Sequence, residues 1–336
     1  MRRKHFFRPI LRETLQLTWK HKGWWILGFF SLFLVSSLSY QFILQGIRSL
    51  TNPTELFNSW RQWSLAADPI SLFTGQWQRF LSNPVDSLIL AAVWVGIGAV
   101  LLGLFILSSY SITTILSGLK SYVLRGRFDF VQAFTEAWFH FSETFWALLI
   151  TYIFSNILVI FFSLPFLLMG ISYYDSPTLI AISFVLFTIF IMSAFVISTL
   201  ATYTLMGIIF DELRLLPALK NGWQTFKSNI LISIEMFLLQ ILASVLVATI
   251  LVFVVSLIVV PATITGVLLV AAQQTDVASL LTPSTLFLLI LAFVIGGAFY
   301  SMFYLLSWGL MYMRLDKARP DSRIAAFVEM LFSLQE

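Results

Sequence analysis

Residues 129–149 read DFVQAFTEAWFHFSETFWALL, and this stretch decides the fold that the sequence predicts. Its first half has apolar residues at helical spacing, with Gln132, Thr135 and His140 on the opposite face, which is typical of an amphipathic helix. Asp129 followed by Gln132 predicts a helix start with a capping box. The second half leads into a long apolar segment. The stretch therefore predicts a surface helix that runs into a membrane-spanning helix.

The same pattern occurs three times in the chain, each time centred on a tryptophan. Trp19, Trp138 and Trp223 each follow a small residue, and apolar residues stand four and eight positions earlier. These offsets lie on one face of a helix. A predicted helix breaker and a long apolar run follow each copy; the breakers are Gly23, Ser142, and Ser228 with Asn229. Chance recurrence of tryptophan in an aromatic-rich chain is the alternative, and the shared placement favours internal repetition.

The composition predicts an integral membrane protein. The 336 residues are 59% hydrophobic and 11% charged, whereas soluble domains carry about 25% charged residues. Uncharged apolar stretches long enough to cross a bilayer recur, which predicts an all-α polytopic fold. The chain has no cysteine, so disulfides and cysteine metal sites are excluded.

Six membrane spans are predicted, and they form three hairpins. Their approximate ranges are 24–47, 87–116, 144–169, 178–210, 229–260 and 286–313. Of the 20 lysines and arginines, 17 fall on one side of these spans, and only Arg48, Arg61 and Arg79 fall on the other. The positive-inside rule therefore predicts a multi-pass protein of the cell membrane with both termini in the cytoplasm. Each hairpin would then follow a cytoplasmic amphipathic helix.

We expect residues 1–336 to form a single membrane domain. Its hairpins share one orientation, so the repeats would be parallel and related by an axis normal to the membrane. The repeat units cover about 7–118, 129–210 and 215–313. The remaining segments are an extracytoplasmic interfacial connection at 48–85, a tight loop at 172–177 and a cytoplasmic amphipathic tail at 321–334.

Glu235 is the only ionisable residue that falls well inside a predicted span. A charge at such a place is costly and usually faces a partner or water. Two interpretations stay open. Glu235 is either a polar contact in a cavity or proton-linked site, or a shallow carboxylate paired with a cation such as Arg125 or Arg214.

Two further sets of residues also allow two interpretations each. The tryptophans at 48–85 are either a lid over an opening between hairpins or a passive interfacial cover; they are Trp60, Trp63 and Trp77. Hydroxyls in the second and fourth spans either bond to carbonyls of their own helix or line a polar path. They are Ser109, Ser111, Thr113, Thr114, Ser198, Thr199, Thr202 and Thr204.

Arg125, Arg214 and Arg314 each follow a glycine near the predicted cytoplasmic end of the second helix of a hairpin. They are either ordinary positive-inside signals or a converging site for anionic lipid head groups. Glu235 lies near the same predicted rim, where it would keep one arginine engaged and make the site asymmetric.

The sequence contains no pattern typical of a catalytic or cofactor site. Paired histidines at helical spacing, a nucleophile elbow and a nucleotide-binding loop are all lacking, so we predict no enzyme activity, no metal and no cofactor. The basic residues are juxtamembrane and suit membrane lipids, anionic ones included, rather than nucleic acid. The predicted function is lipid binding, lipid handling or membrane organisation.

The alternative function is a transporter or channel subunit with a pathway along the repeat axis. A water-filled axial cavity that reaches Glu235 would favour transport. A closed axis with lateral, aromatic-lined grooves would favour lipid handling.

Two stretches of the repeat carry a resemblance to known proteins. Residues 215–230, LLPALKNGWQTFKSNI, and 128–146, FDFVQAFTEAWFHFSETFW, resemble bacterial six-helix membrane proteins grouped with the membrane domain of glycerophosphoryl diester phosphodiesterases. The resemblance covers nearly the whole chain and implies the six-helix fold. In some members a soluble phosphodiesterase barrel follows this domain. We expect none here because the chain ends at Glu336, so the family's catalytic residues have no counterpart.

Overall fold

The computed structural model describes residues 6–34, 84–172 and 177–318, and every regular element in these ranges is helical. The elements are α1 (Phe7–Lys20), a 3-10 turn (Lys22–Trp24), α2 (residues 25–34), α3 (Pro84–Arg125), α4 (Phe130–Ser172), α5 (Pro177–Phe210), α6 (Leu215–Ser228), α7 (Ile230–Ala271) and α8 (Thr275–Ala318). The predicted connection up to residue 83, with Trp60, Trp63 and Trp77, and the predicted tail at 321–334 lie outside the described residues.

Five of the described helices are long and apolar enough to cross a membrane. The segments are Ala91–Arg125, Phe130–Phe162, Phe184–Phe210, Ile230–Leu269 and Pro283–Leu315. Each exceeds the roughly 20 apolar residues that span the hydrocarbon core of a bilayer. The predicted all-α class is therefore confirmed for the described residues, with five helices suitable for spanning a membrane. The first predicted span is described only as far as residue 34, within the shorter apolar helix Lys22–Leu34.

The predicted helix start at Asp129 is confirmed, but the predicted capping box is not formed. The backbone N–H of Gln132 donates to Asp129 Oδ1 at 3.3 Å, so the aspartate caps the first turn of α4. The Gln132 side chain does not complete a capping box. Its Oε1 instead accepts a hydrogen bond from Arg125 Nη1 at the end of α3.

Two of the predicted helix breaks are confirmed, and the third, at Ser142, is wrong. The 3-10 turn at Lys22–Trp24 and the interruption at Asn229 separate surface helices from apolar ones. Ser142 does not break α4, and α7 continues through Pro261. Apolar surroundings leave a freed backbone group without a water partner, so a helix tolerates a serine or a proline better than it tolerates a break.

The chain forms two compact units. The first comprises Met1–Leu32, Ser108–Ala147 and Thr199–Glu336, and the second comprises Phe33–Leu107 and Leu148–Ser198. In the first unit, the carboxyl-terminal parts of α3, α5 and α8 are almost wholly buried. The largest of their fully buried side chains include Trp308, Tyr203, Met206, Met302 and Leu116.

The second unit is held by packing between apolar helices. Phe105 lies against Tyr152, with ring centroids 6.1 Å apart, and Phe162 lies 5.6 Å from Phe190. Many apolar side chains of this unit are exposed, Val95 and Phe161 among them. Such exposure suits a lipid environment, because acyl chains are as apolar as these side chains.

Candidate functional site

The three tryptophan-centred helices pack through small residues rather than through the tryptophans. Trp19, Trp138 and Trp223 are 59%, 71% and 45% exposed. The residues one and five positions earlier are buried in every copy. These pairs are Thr18 and Thr14, Ala137 and Ala133, and Gly222 and Ala218. Small residues let helix backbones approach closely, so the tryptophans are left on the outer surface of the first unit.

The second and third of these helices each contact the buried helix that precedes them in the chain. In the second copy, the Tyr110 hydroxyl on α3 donates to the Phe134 carbonyl on α4 at 2.9 Å. In the third copy, Gly222 on α6 lies against Thr204 on α5, where an added Cβ would come 3.1 Å from the Thr204 nitrogen.

The first copy contacts the last buried helix, which closes the order. The α1 helix packs along α8. Ser31 Oγ on α2 lies 2.6 Å from Ser301 Oγ on α8. An added Cβ at Gly28 would lie 2.3 Å from the Ala298 carbonyl oxygen. Helix α4 therefore contacts α3, α6 contacts α5, and α1–α2 contact α8. In cyclic order, each tryptophan-centred helix contacts the buried helix before it.

A groove of about 400 Å³ opens on the surface of the first unit, between α4 and the start of α6. We call it the Arg214 groove. Its lining residues are Ser142, Glu143 and Trp146 on α4, and Arg214, Leu215, Leu216 and Pro217 at the start of α6. Trp146 is exposed, and Leu216 is 76% exposed. The groove lining therefore includes one cationic residue, one anionic residue and several apolar ones.

The two charged residues of the Arg214 groove have no ionic partner among the described residues. Within the described part of the chain, neither Arg214 nor Glu143 makes an ion pair or a side-chain hydrogen bond. Arg214 has an extended backbone, with φ −68° and ψ 162°, and directly precedes α6. Arg214 and Glu143 are both among the residues that line the groove.

The other two candidate arginines have different surroundings. Arg125 donates to the Gln132 side chain on α4. Arg314 pairs with Glu13 on α1, which joins α8 to the first copy. Of the three arginines that the sequence pointed to, Arg214 is therefore the one that lines a groove.

Glu235 is buried on α7, with 9% of its surface exposed. Two positions earlier on α7, Ser233 Oγ lies 2.7 Å from the Tyr203 hydroxyl of α5. Glu235 thus sits beside a buried polar contact between α7 and α5.

A buried lysine joins the two walls of the Arg214 groove. Lys120 is 8% exposed. Its Nζ lies 3.0 Å from Glu136 Oε1 on α4 and 2.8 Å from Glu212 Oε1 in the turn between α5 and α6. The ammonium also donates to the Ile209 carbonyl at 3.0 Å. From the sequence, Lys120 was only one of the 17 basic residues on the predicted cytoplasmic side, and this contact was not predicted.

The turn that carries Arg214 has a constrained backbone. Glu212 adopts a left-handed conformation with φ 54°, which non-glycine residues rarely adopt. The Leu213 N–H donates to the Gly207 carbonyl and closes the end of α5. The hydrogen bond from Lys120 and its charge hold the pKa of the Glu212 carboxyl below its usual value, and His140 adds to this effect.

A group of three possible metal ligands was not predicted from the sequence. Its members are Glu136, His140 and Glu212. Their ligand atoms lie within 4.8 Å of one another. The signal was present, because Glu136 and His140 stand four residues apart on one helix face. In the structure the Lys120 ammonium lies at hydrogen-bond distance from both carboxylates and already supplies their positive partner.

Several hydroxyls of the buried helices bond to their own helix. Thr113 donates to the Ser109 carbonyl, Thr114 to that of Tyr110 and Thr204 to that of Leu200, each at 2.8 Å. For these residues the first of the two interpretations is correct. Five buried hydroxyls have no hydrogen-bond partner within the described residues; they are Thr14, Ser117, Ser121, Thr144 and Thr199.

The described residues form an all-helical protein with five helices suitable for crossing a membrane and a groove with charged and apolar lining residues on the first unit. Comparisons with protein-family models, with curated proteins and with solved structures each found no match. The resemblance to the membrane domain of glycerophosphoryl diester phosphodiesterases therefore stays a prediction from the stretches quoted above.

Proposed function

We propose that this chain is a non-enzymatic membrane protein that binds glycerophospholipids in the Arg214 groove. The observation that carries the proposal is the contrast between a filled interior and a groove at the surface. Tyr203, Trp308 and Met302 are among the side chains that fill the interior of the first unit with less than 2% exposure. The groove lies at the surface of the first unit and is lined by Trp146 and Leu216, among others.

The lining residues match the two parts of a phospholipid. The Arg214 guanidinium offers paired N–H donors to a phosphate, a geometry in which arginine surpasses lysine. A juxtamembrane cation near an anionic lipid contributes about 1 kcal/mol. Leu215, Leu216 and Pro217 provide apolar contact for acyl chains directly beside that cation.

The alternative function, transport along the repeat axis, has weaker support. It needs a polar or hydrated route between the buried ends of α3, α5 and α8. Large side chains occupy this region in the first unit, and several of the hydroxyls there bond to their own helices.

The proposal includes the repeated architecture that the sequence predicted. Three hairpins, six spans and cytoplasmic termini are supported by the cyclic order of contacts and by the charge asymmetry. Reporter fusions test the topology. Fusions after residues 70, 175 and 275 should report the outside, and fusions after 127, 220 and 336 the inside. One reversed hairpin would contradict it.

Single arginine replacements test the groove. We expect Arg214→Gln to lose bound phospholipid in native mass spectrometry of the purified protein. Arg125→Gln is the matched control, because Arg125 is exposed but engaged by Gln132. Arg314→Gln is a second control and should also retain lipid. Equal lipid retention by all three variants and the unmodified protein would contradict lipid binding at Arg214.

A further inference from the structure

The Arg214 groove holds two opposite charges that do not neutralise each other. Arg214 and Glu143 both line it, and neither has an ion-pair partner among the described residues. We propose that the groove selects a zwitterionic phospholipid whose head group carries a primary ammonium. Its phosphate would bind Arg214 and its ammonium would bind Glu143. This inference rests on the proposed function, because it names the lipid class that the groove takes.

Charge complementarity favours this head group over a purely anionic one. A phosphate placed at Arg214 brings negative charge close to the Glu143 carboxylate, and like charges in a partly enclosed site repel each other. An ethanolamine head group carries its ammonium on a short ethylene link from the phosphate. One such head group therefore carries a partner of opposite charge for each of the two charged residues that line the groove.

The α4 wall offers the ammonium a second contact. Glu143 and Trp146 are three residues apart on a continuous helix, so their side chains lie on the same face. A cation over an indole face gains a further attraction. Leu216 on the opposite wall is exposed and leaves apolar surface for the lipid chains.

The corresponding place at the junction of the first and second copies is filled. In the predicted repeat alignment, Trp24 corresponds to Glu143 and Phe130 corresponds to Leu215. Trp24 is buried, and its ring centroid lies 5.1 Å from that of Phe130 and 4.4 Å from that of Phe128. An aromatic cluster thus occupies the first junction, whereas the second junction is open and charged.

Competitive lipid binding tests the inference. The purified protein is equilibrated with equimolar phosphatidylethanolamine and phosphatidylglycerol, and native mass spectrometry gives the ratio of the two bound lipids. We expect the unmodified protein to favour phosphatidylethanolamine. Glu143→Gln should reduce that ratio roughly fivefold, the effect of one partly exposed charge contact. Glu143→Lys should favour phosphatidylglycerol.

Glu13→Gln is the matched control, because it removes a carboxylate that Arg314 engages away from the groove lining. It should leave the ratio unchanged. A ratio near one for the unmodified protein, or the same ratio after Glu143→Gln, would overturn the inference. If Arg214→Gln retains both lipids at unmodified levels, the proposed function fails as well. If Arg214→Gln loses both lipids and Glu143→Gln keeps the ratio, only the head-group selection fails.

Discussion

The Lys120 ammonium donates a hydrogen bond to the Glu212 carboxylate, with Nζ 2.8 Å from Oε1. The same nitrogen lies 3.0 Å from Glu136 Oε1. Glu136 stands on α4, which forms one wall of the Arg214 groove, and Glu212 is two residues before Arg214 on the other wall. One buried cation therefore fixes both walls of the groove, and its removal would leave two carboxylates facing each other.

Lys120→Met should destabilise the protein by roughly 1 to 3 kcal/mol. Breaking a fully buried pair costs more, but Glu212 is largely exposed and solvent screens its charge. Thermal unfolding in detergent measures the loss. Lys120→Arg keeps the positive charge and should restore most of the stability, while Lys220→Met removes an exposed lysine and should change little.

Lys120→Met should also widen the Arg214 groove. The chain has no cysteine, so cysteines placed at Ser142 and Leu216 can be spin-labelled alone. These positions lie on opposite walls of the groove. Lys120→Met should broaden the distance distribution between the two labels. An unchanged distribution would show that Lys120 does not position the walls.

Stability should fall at acidic pH in a way that depends on Glu212. The hydrogen bond from Lys120 and its charge hold the folded pKa of Glu212 below the ordinary value of 4.5. The stabilisation is therefore fully present above about pH 4.5 and is lost as the pH falls through the lowered folded pKa. Glu212→Gln should show a shallower loss of stability over this acidic range in unfolding curves. Parallel curves for the two proteins would contradict the effect.

Helix contact between α2 and α8 should be sensitive to a single added methyl group. A Cβ at Gly28 would lie 2.3 Å from the Ala298 carbonyl oxygen, so the backbones must separate. We expect Gly28→Ala to destabilise by about 1 to 3 kcal/mol, the usual cost of overpacking. Gly23→Ala is the control, because nothing lies within 4 Å of its added Cβ. Similar stability of the two variants would contradict close packing at Gly28.

Sequence reasoning identified the membrane class and several helix ends, because these depend on local chemistry. Apolar run length predicts membrane-spanning helices, and Asp129 is a strong cap. Ser142 was wrongly predicted to break a helix, because the cost of unpaired backbone groups in apolar surroundings exceeds the cost of one poor helix residue. Helix α7 likewise continues past residue 260, where the fifth span was predicted to end.

The candidate site was only partly predictable, for a different reason. Arg214 was identified because a juxtamembrane arginine has a recognisable chemistry. Glu143 was not identified, because its place in the groove lining depends on the packing of α4 beside the start of α6. Lys120 was missed for the same reason. Its partners Glu136 and Glu212 lie 16 and 92 residues away in the chain, and no local pattern links them.

The repeat tryptophans should contact lipid and contribute little to the core. Trp19, Trp138 and Trp223 lie largely exposed beside buried small residues. In nanodiscs with brominated lipids, replacing each by phenylalanine should remove a quenchable part of the tryptophan emission. The free energy of unfolding should change by less than about 1 kcal/mol. Trp308→Phe is the matched control, because Trp308 is 1% exposed. Because Trp308 is buried away from lipid, the emission that this variant loses should be only weakly quenched by bromine. The variant should also be clearly destabilised, because it leaves a cavity in the core. If the three repeat tryptophans resist quenching as Trp308 does, these helices do not lie in the lipid interface.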